Sequence, residues 1–178
     1  ETSSSYETGF GVRVLQNRLG LDYTYFYTLD FNNIIGVPIS RTSGFSSRLM
    51  NANEYEKKGV EVVLRGTPVK QNMFQWDVVA NLGQVKTFIK EIEIGDRIGY
   101  RQEGDRIDEM WRDVWMRNQD GELIIGDNGI NVKDPFPRMI GYNDPDWVWG
   151  FQNNFRFGPV SLYIGIDGRI GGLMESKT

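Results

Sequence analysis

The chain of 178 residues is long enough for one domain with its own core, and 20 basic and 24 acidic residues leave a net charge of −4. Scattered basic residues and a sequence pI near 5.0 give no reason to expect a nucleic-acid partner. Because cysteine and histidine are absent, disulfides, histidine catalysis and the usual zinc, haem and iron–sulfur ligand sets are excluded. We therefore expect no cofactor.

The first predicted element is a hairpin over about residues 5–28. Large apolar side chains alternate with small or polar ones along SYETGFGVRVL and again along RLGLDYTYFYT, and Gln16-Asn17 supply a turn between the two segments. A period of two residues with this contrast predicts paired strands with one face in an apolar medium and the other in water. The following residues, about 29–54, contain Pro38, Gly44 and many Ser and Asn, and we predict a loop there.

Two further hairpins are predicted downstream. The second covers about residues 58–83, where KKGVEVVLRG and FQWDVVANLG alternate in the same way around a turn at residues 67–72. A long charged loop is predicted at about 86–146, and the third hairpin, about 147–170, turns at Gly158-Pro159. The chain also begins within a strand pattern, which we interpret as a piece of a longer protein.

The connections alternate between short turns and long loops. Outer-membrane barrels have this asymmetry, whereas Greek-key sandwiches have long connections at both ends. With the short turns on the periplasmic side, aromatic residues sort into two bands around an aliphatic belt, as interfacial Trp and Tyr do. The outer band is Tyr6, Tyr25, Tyr27, Trp147 and Trp149, and the inner band is Phe74, Trp76, Phe155 and Phe157.

The predicted fold is all-β, with antiparallel hairpins that form part of a large transmembrane β-barrel with long extracellular loops. No apolar run of about 18 residues is present, so no transmembrane helix is expected. A secreted glycan-binding β-sandwich, whose aromatic residues would fill a core, remains the alternative.

Charged side chains are predicted on the water-filled side of the strands. They could contact a plug or a solute, but ion-paired packing of an ordinary barrel wall is the favoured interpretation. No spacing establishes a pair of catalytic carboxylates, so we predict no enzymatic activity. The residues are Glu7, Arg13, Asp22, Glu61, Arg65, Asp77, Arg156, Asp167 and Arg169.

Five phrases together resemble one known family. They are SYETG, NRLGLDYTYFY, VPIS followed by SG, NANEYEKKGVEVVLRGTPVKQNMFQWDVVANLG and IGYNDPDWVWGFQNNFRFGPVSLYIGIDGRIGG. Their order and spacing resemble the C-terminal half of the barrel of SusC/RagA-type TonB-dependent transporters, over nearly the whole of residues 1–178. No single phrase is diagnostic, and the specificity comes from the five in sequence.

That resemblance implies a segment of an outer-membrane nutrient importer. It implies a barrel of the large, plugged class, a SusD-like lipoprotein lid, coupling to TonB, and uptake of oligosaccharides or peptides. Membrane lipid would cover the apolar face. The family's plug, TonB box and terminal strand do not lie in these residues, so transport would require the remainder of such a protein.

The predicted outer loop at 86–146 contains the candidate substrate-binding residues. Aromatic rings can stack on sugar faces while polar side chains bond to hydroxyls, and the candidates are Tyr100, Trp111, Arg112 and Trp115, with Asp113 and Asp120 as further polar groups. A small hairpin turned at Asp120-Gly121, with its aromatics packed on neighbouring loops, is the favoured alternative. NQDGE and GDNG lack the ligand spacing of an EF-hand, and we predict no metal site.

Overall fold

The computed structural model describes residues 2–176, which form ten strands and one short 3-10 helix. In chain order the elements are β1 (Thr2–Val14), β2 (Leu19–Phe31), β3 (Asn33–Pro38), the 3-10 helix Arg41–Ser43, β4 (Ser47–Ala52), β5 (Glu54–Lys70), β6 (Phe74–Glu91), β7 (Glu109–Arg112), β8 (Arg138–Tyr142), β9 (Trp147–Phe157) and β10 (Val160–Ile170). Within residues 2–176, no helix is long and apolar enough to cross a bilayer.

Six strands form one antiparallel sheet in the order β1-β2-β5-β6-β9-β10. Two small hairpins, β3-β4 and β7-β8, stand outside it. The short turns lie at one edge, where the Thr67 N–H donates to the Arg18 carbonyl at 2.8 Å and the Gly158 N–H to the Met73 carbonyl at 2.9 Å. The predicted topology of consecutive hairpins with their turns at one end is confirmed.

The strand register confirms the predicted division of the sheet into two faces. Residues in register lie on the same face, so one row across all six strands identifies each face. The apolar row is Phe10, Tyr23, Val62, Leu82, Trp149 and Gly168. The adjacent row on the other face is Gly11, Asp22, Val63, Asn81, Gly150 and Asp167.

The apolar face is bare in this chain. Tyr6 is 70% exposed, Phe10 56% and Leu162 55%, and among the described residues the buried apolar side chains are Ala52, Ile89 and Ile92. A β-sandwich would cover such a face with a second sheet. All six long strands instead belong to one sheet, so the sandwich alternative is wrong.

The hairpins are staggered along the sheet. Leu19, the first residue of β2, is in register with Gly66, Val78, Asn153 and Ile164. Because β10 begins at Val160, four residues before Ile164, the first turn is set back by four residues along the sheet relative to the third turn. A sheet that closes into a barrel needs tilted strands with such a stagger.

The inner aromatic band forms one cluster on the apolar face. Phe74 lies 6.5 Å from Phe155 and 6.4 Å from Phe157, and Trp76 stacks on Phe155 at 5.8 Å between ring centroids. Trp76 also donates its indole N–H to Asn153 Oδ1 at 3.0 Å. This bond satisfies a polar side chain that is only 8% exposed on an otherwise apolar face.

The segment predicted as a loop over residues 29–54 contains the β3-β4 hairpin, so that prediction is wrong there. Asn32 separates β2 from β3, and Asn53 separates β4 from β5. Both asparagines have a positive φ, 56° and 63°. Asparagine tolerates the left-handed region, so one residue on each strand can redirect the hairpin. The Asn33 amide donates to the Asn53 carbonyl at 3.2 Å and fixes the bend.

The predicted turn at residues 67–72 is also wrong in part, because β5 continues to Lys70. The register shifts between Gly66 and Val69, so Thr67 and Pro68 form a bulge rather than the turn. A bulge can contain a proline, because a bulged residue does not have to donate a backbone hydrogen bond to the neighbouring strand. The Arg18 guanidinium donates to the Thr67 and Pro68 carbonyls at 3.2 and 3.1 Å, which supplies partners for both.

Candidate functional site

The outer end of β6 supports the long loop that follows it. β6 pairs with β9 only as far as Gly83, and beyond that point the loop takes the place of β9. The Ile89 N–H donates to the Asp105 carbonyl at 2.9 Å, and the Ile107 N–H to the Thr87 carbonyl at 3.0 Å. The loop predicted at 86–146 therefore begins as a continuation of the sheet.

A buried arginine fastens this loop. The Arg106 guanidinium donates to both carboxylate oxygens of Asp108, at 2.9 and 2.7 Å, and lies 3.5 Å from Asp146. Its carbon Cζ also lies 3.9 Å from the centroid of the Tyr142 ring. The Arg106 and Asp108 side chains are 6% and 7% exposed, so each charge is stabilised mainly by its partner rather than by water.

Two of the predicted site residues form an aromatic pair. Tyr100 stacks on Trp111 with 5.4 Å between ring centroids and 28° between ring planes. The Trp111 indole N–H donates to Glu109 Oε2 at 2.8 Å, and Glu109 also accepts from Arg101 through its carbonyl. Tyr100 is 53% exposed, so the pair presents the tyrosine to solvent.

Arg112 follows this pair on β7. Its guanidinium donates to the Trp111 carbonyl at 2.8 Å and to Glu175 Oε2 at 2.5 Å. The Arg112 side chain remains 43% exposed. The structure thus groups three of the four predicted residues, because Trp111 and Arg112 lie on β7 and Tyr100 packs against Trp111 from the preceding turn.

Trp115 lies in a separate unit. Among residues 2–176 no ring contact joins Trp115 to the Tyr100–Trp111 pair, and its backbone bridges to Lys133 instead. Asp113 also faces Lys133, with 3.5 Å between carboxylate and ammonium. Trp115 is 44% exposed, so its ring is open to solvent at a different place from the aromatic pair.

The predicted hairpin at Asp120-Gly121 is confirmed and belongs to a three-sided unit. Met116 donates to the Val132 carbonyl at 2.8 Å, Val132 to the Ile124 carbonyl at 2.9 Å, and Ile124 to the Met116 carbonyl at 3.0 Å. These backbones form a closed ring of hydrogen bonds. The third side was missed, although the spacing of eight residues and the Asp-Gly and Asn-Gly turns signal it.

The polar face of the sheet has two local networks. Asp22 pairs with Arg13 at 2.7 Å and with Arg65, and these three residues were predicted to share that face. Asp77 accepts from Thr67 Oγ1 and from the Gln75 amide, both at 2.7 Å. Asp22, Arg13 and Arg65 therefore form the ion-paired packing expected of an ordinary barrel wall.

No metal site stands out in the described part of the chain. Within residues 2–176 no three acidic side chains converge so as to hold an ion. Asn118, from NQDGE, uses its amide oxygen to accept from the Asp120 and Glu122 N–H groups at 3.0 and 2.9 Å. These hydrogen bonds stabilise a turn at residues 118–122.

A staggered antiparallel sheet with one apolar and one polar face defines a class, the wall of a transmembrane β-barrel. The particular resemblance is to TonB-dependent receptors, as the sequence predicted. TonB-dependent receptor P3 of Formosa agariphila is 24% identical over 213 aligned residues, which cover 100% of this chain and 21% of that receptor. TonB-dependent receptor P26 of the same organism is 27% identical over 92 residues, 52% of this chain and 9% of that receptor.

Solved structures agree on the fold. The RagAB peptide importer in its open-open state superposes with a TM-score of 0.77 at 17% identity, covering 96% of this chain and 20% of the matched chain. The RagAB peptide transporter superposes with a TM-score of 0.70 at 17% identity, over 93% of this chain and 20% of the other. No family model matches the chain. The predicted resemblance to SusC/RagA-type receptors is confirmed, and the chain spans about a fifth of the relatives that cover it fully.

Proposed function

We propose that this chain forms barrel wall and extracellular loops of a SusC/RagA-type TonB-dependent importer in the outer membrane. The observation that carries the proposal is the similarity to a TonB-dependent receptor over the full length of the chain. The two-faced, staggered sheet supports it, because lipid and a water-filled lumen require opposite surfaces. The imported solute in this proposal is an oligosaccharide or a peptide.

The partners follow from the same class. Membrane lipid would cover the apolar face, TonB would act through parts of the protein outside this chain, and a SusD-like lipoprotein would close the extracellular side. The matched structures are described as RagAB complexes that transport or import peptides, which supports a two-component importer. The relatives are receptors and transporters, which is consistent with the absence of enzymatic activity, and we assign no catalytic residue.

The proposed extracellular solute contact is the surface formed by Tyr100, Trp111 and Arg112, with Trp115 as a separate contact. An exposed ring backed by a second ring can stack on a sugar or an apolar side chain, and the guanidinium can donate to hydroxyl or carbonyl oxygens. Tyr100→Ala should raise the concentration for half-maximal uptake. Phe136→Ala is the matched control, because Phe136 is a 71% exposed loop aromatic on neither β7 nor β8, and within residues 2–176 its ring does not contact the Tyr100–Trp111 pair.

Gene deletion in the native host tests the function itself. Loss of the full-length protein should abolish growth on one class of glycan or peptide while growth on monosaccharides or free amino acids continues. Depletion of TonB should have the same effect on that class. Growth of the deletion strain on every oligosaccharide and peptide supplied would contradict the proposal.

A further inference from the structure

Two lysines lie directly opposite each other on the apolar face of the sheet. The register pairs Lys58 of β5 with Lys86 of β6, and Lys58 is also in register with Tyr27 of the outer aromatic band. Both lysines are an even number of residues from Val62 and Leu82 of the apolar row, so they share its face. Like charges directly opposite each other destabilise a strand pair. An anion close to both ammonium groups would relieve this repulsion.

The carboxylates of the chain neutralise the two lysines unequally. The Lys58 ammonium donates to Glu56 Oε1 at 2.6 Å, and because an ammonium has three N–H donors, further donors remain. Among residues 2–176, Lys86 forms no hydrogen bond, and its ion-pair partner Asp146 lies 3.7 Å away. Asp146 also faces Arg106 at 3.5 Å, so one carboxylate serves two cations. Both lysines can therefore still donate to a bound anion.

The two lysines line a cavity of about 220 Å³ on this face. Its other lining residues are Tyr25, Gly59, Val60, Gln84 and Phe88, and none of the lining residues within 2–176 is acidic. Lys58 Nζ lies 5.7 Å from the centroid of the Phe88 ring and 5.9 Å from that of Tyr27, and these cation–π contacts orient it. The cavity thus combines two cations with a carbon surface, which fits a molecule that has an anionic group next to an apolar part.

The position of the cavity along the strands favours a lipid as this molecule. Tyr25 and Tyr27 belong to the outer aromatic band, and tyrosines of such bands lie at the level of the lipid head groups. Lipid phosphates lie at the same level, with their acyl chains on the membrane side. Because Lys58 and Lys86 share the face that lipid would cover, a solute in the lumen does not reach them. The extracellular leaflet of an outer membrane consists mainly of lipid A and its glycan, and lipid A carries phosphate.

We infer that Lys58 and Lys86 bind the phosphate of a lipid A molecule in the outer leaflet. The inference goes beyond import, and it rests on the proposed location of this chain in the wall of an outer-membrane barrel. Lysine binds phosphate as a point charge, and basic side chains near an anionic membrane surface strengthen the attachment of lipid. The bound lipid would lie against β5 and β6 below the point where the loop of residues 86–146 joins β6.

The test uses the full-length protein, purified from outer membranes in detergent. Lipid binding is measured by native mass spectrometry, and heat-modifiable migration in electrophoresis reports the folded barrel. The probes are lipid A, dephosphorylated lipid A, phosphatidylglycerol and inorganic phosphate. Lys58→Gln/Lys86→Gln removes both charges, and Lys58→Arg/Lys86→Arg retains them. Lys57→Gln/Lys70→Gln is the matched control, because it removes two charges from the polar face of the same strand, β5.

The wild type should bind lipid A. The Lys58→Gln/Lys86→Gln variant should bind it about thirtyfold more weakly, because each lysine near an anionic membrane surface contributes about fivefold. The arginine variant and the control should retain wild-type binding. Dephosphorylated lipid A should bind the wild type no better than lipid A binds the glutamine variant. Equal binding of lipid A by the wild type and the folded glutamine variant would overturn the site while the barrel-wall function stands.

The remaining outcomes also decide the matter. Phosphatidylglycerol that binds as tightly as lipid A would overturn the assignment to lipid A, and inorganic phosphate that binds as tightly would overturn a lipid site altogether. If the double glutamine variant forms no heat-modifiable barrel, Lys86→Gln alone should weaken binding about fivefold, and unchanged binding there would overturn the site. A wild-type protein absent from outer membranes would contradict the proposed function itself, and the inference with it.

Discussion

Arg106→Ala should release the loop of residues 86–146 from the end of β6 that extends beyond β9. The substitution removes both hydrogen bonds to Asp108, at 2.9 and 2.7 Å, and the contact with the Tyr142 ring at 3.9 Å. It leaves the Asp108 carboxylate, 7% exposed, without its cation. Breaking a buried ion pair by removing one partner costs about 3–5 kcal/mol.

The expected effect can be measured locally by hydrogen exchange in the full-length protein. The Ile89 and Ile107 amides join the loop to β6, so their exchange reports its release. A cost of about 3 kcal/mol corresponds to exchange about a hundredfold faster. Arg106→Lys should accelerate exchange too, since an ammonium cannot form the two parallel bonds of the guanidinium.

Arg138→Ala is the matched control for this prediction. Arg138 pairs with Asp134 at 2.8 Å in the same loop, but its side chain is 67% exposed. An exposed ion pair contributes about 1 kcal/mol or less. Equal exchange rates in Arg106→Ala, Arg138→Ala and the wild type would refute the role of Arg106 as the fastening group.

Three further predictions concern the two faces and the outer loop. Trp76→Asp should reduce outer-membrane levels, because a carboxylate on the lipid face is unfavourable by up to a few kcal/mol, whereas Asn81→Asp on the lumen face should not; equal levels would contradict the facing. Trp76→Phe should lower the free energy of unfolding by about 1–3 kcal/mol, because it leaves the buried Asn153 amide without its hydrogen-bond donor. Adding Asn153→Leu should recover most of that loss, as measured by urea unfolding from lipid. If the losses of the two single variants simply add in the double variant, the two side chains are not coupled. The Phe136 N–H and then the Arg138 guanidinium lower the pKa of Asp134 from its usual 3.8. The ionised Asp134 therefore stabilises the folded loop fully above pH 3.8, and this stabilisation is lost as the pH falls through the lowered pKa. Proteolysis of the loop should rise on acidification below pH 3.8, and it should rise less in Asp134→Asn.

The six long strands and their faces were predictable because one physical pattern specifies both. A two-residue period assigns every side chain to a face, and a shift by one residue would reverse all of them. The predicted outward residues Phe10, Tyr23 and Val62 do fall in one row of the sheet. Lipid on one side and water on the other give this pattern its contrast.

The missed elements depend on backbone conformation rather than on contrast. β3 and β4 contain polar residues on both faces, and their departure from the sheet depends on two asparagines with positive φ. Pro68 predicts a turn in isolation, yet the bulge and Arg18 accommodate it within a strand. Such features arise from long-range partners that a local pattern cannot contain.

The site was predictable as residue types and not as an assembly. Tyr100 and Trp111 are eleven positions apart in the chain, and their stack depends on the loop being fastened to β6. Trp115 is closer to Trp111 in sequence but belongs to the three-sided unit. The sequence named Tyr100, Trp111 and Trp115 as candidates together, and the structure brings Tyr100 and Trp111 into one stack while Trp115 lies elsewhere.

The lengths of the strands explain why this outer surface is ordered. β5 and β6 have 17 and 18 residues, although about 9–11 residues suffice for a tilted strand to cross the hydrocarbon layer. β9 and β10 have 11 residues each and match that requirement. The excess of β5 and β6 continues as sheet beyond the end of β9, where backbone hydrogen bonds from the loop to β6 and the buried Arg106 take the place of β9. Because the loop that contains Tyr100 and Trp111 is joined to this extension by backbone hydrogen bonds, shortening β5 and β6 together would shift the aromatic pair along the sheet rather than merely loosen it.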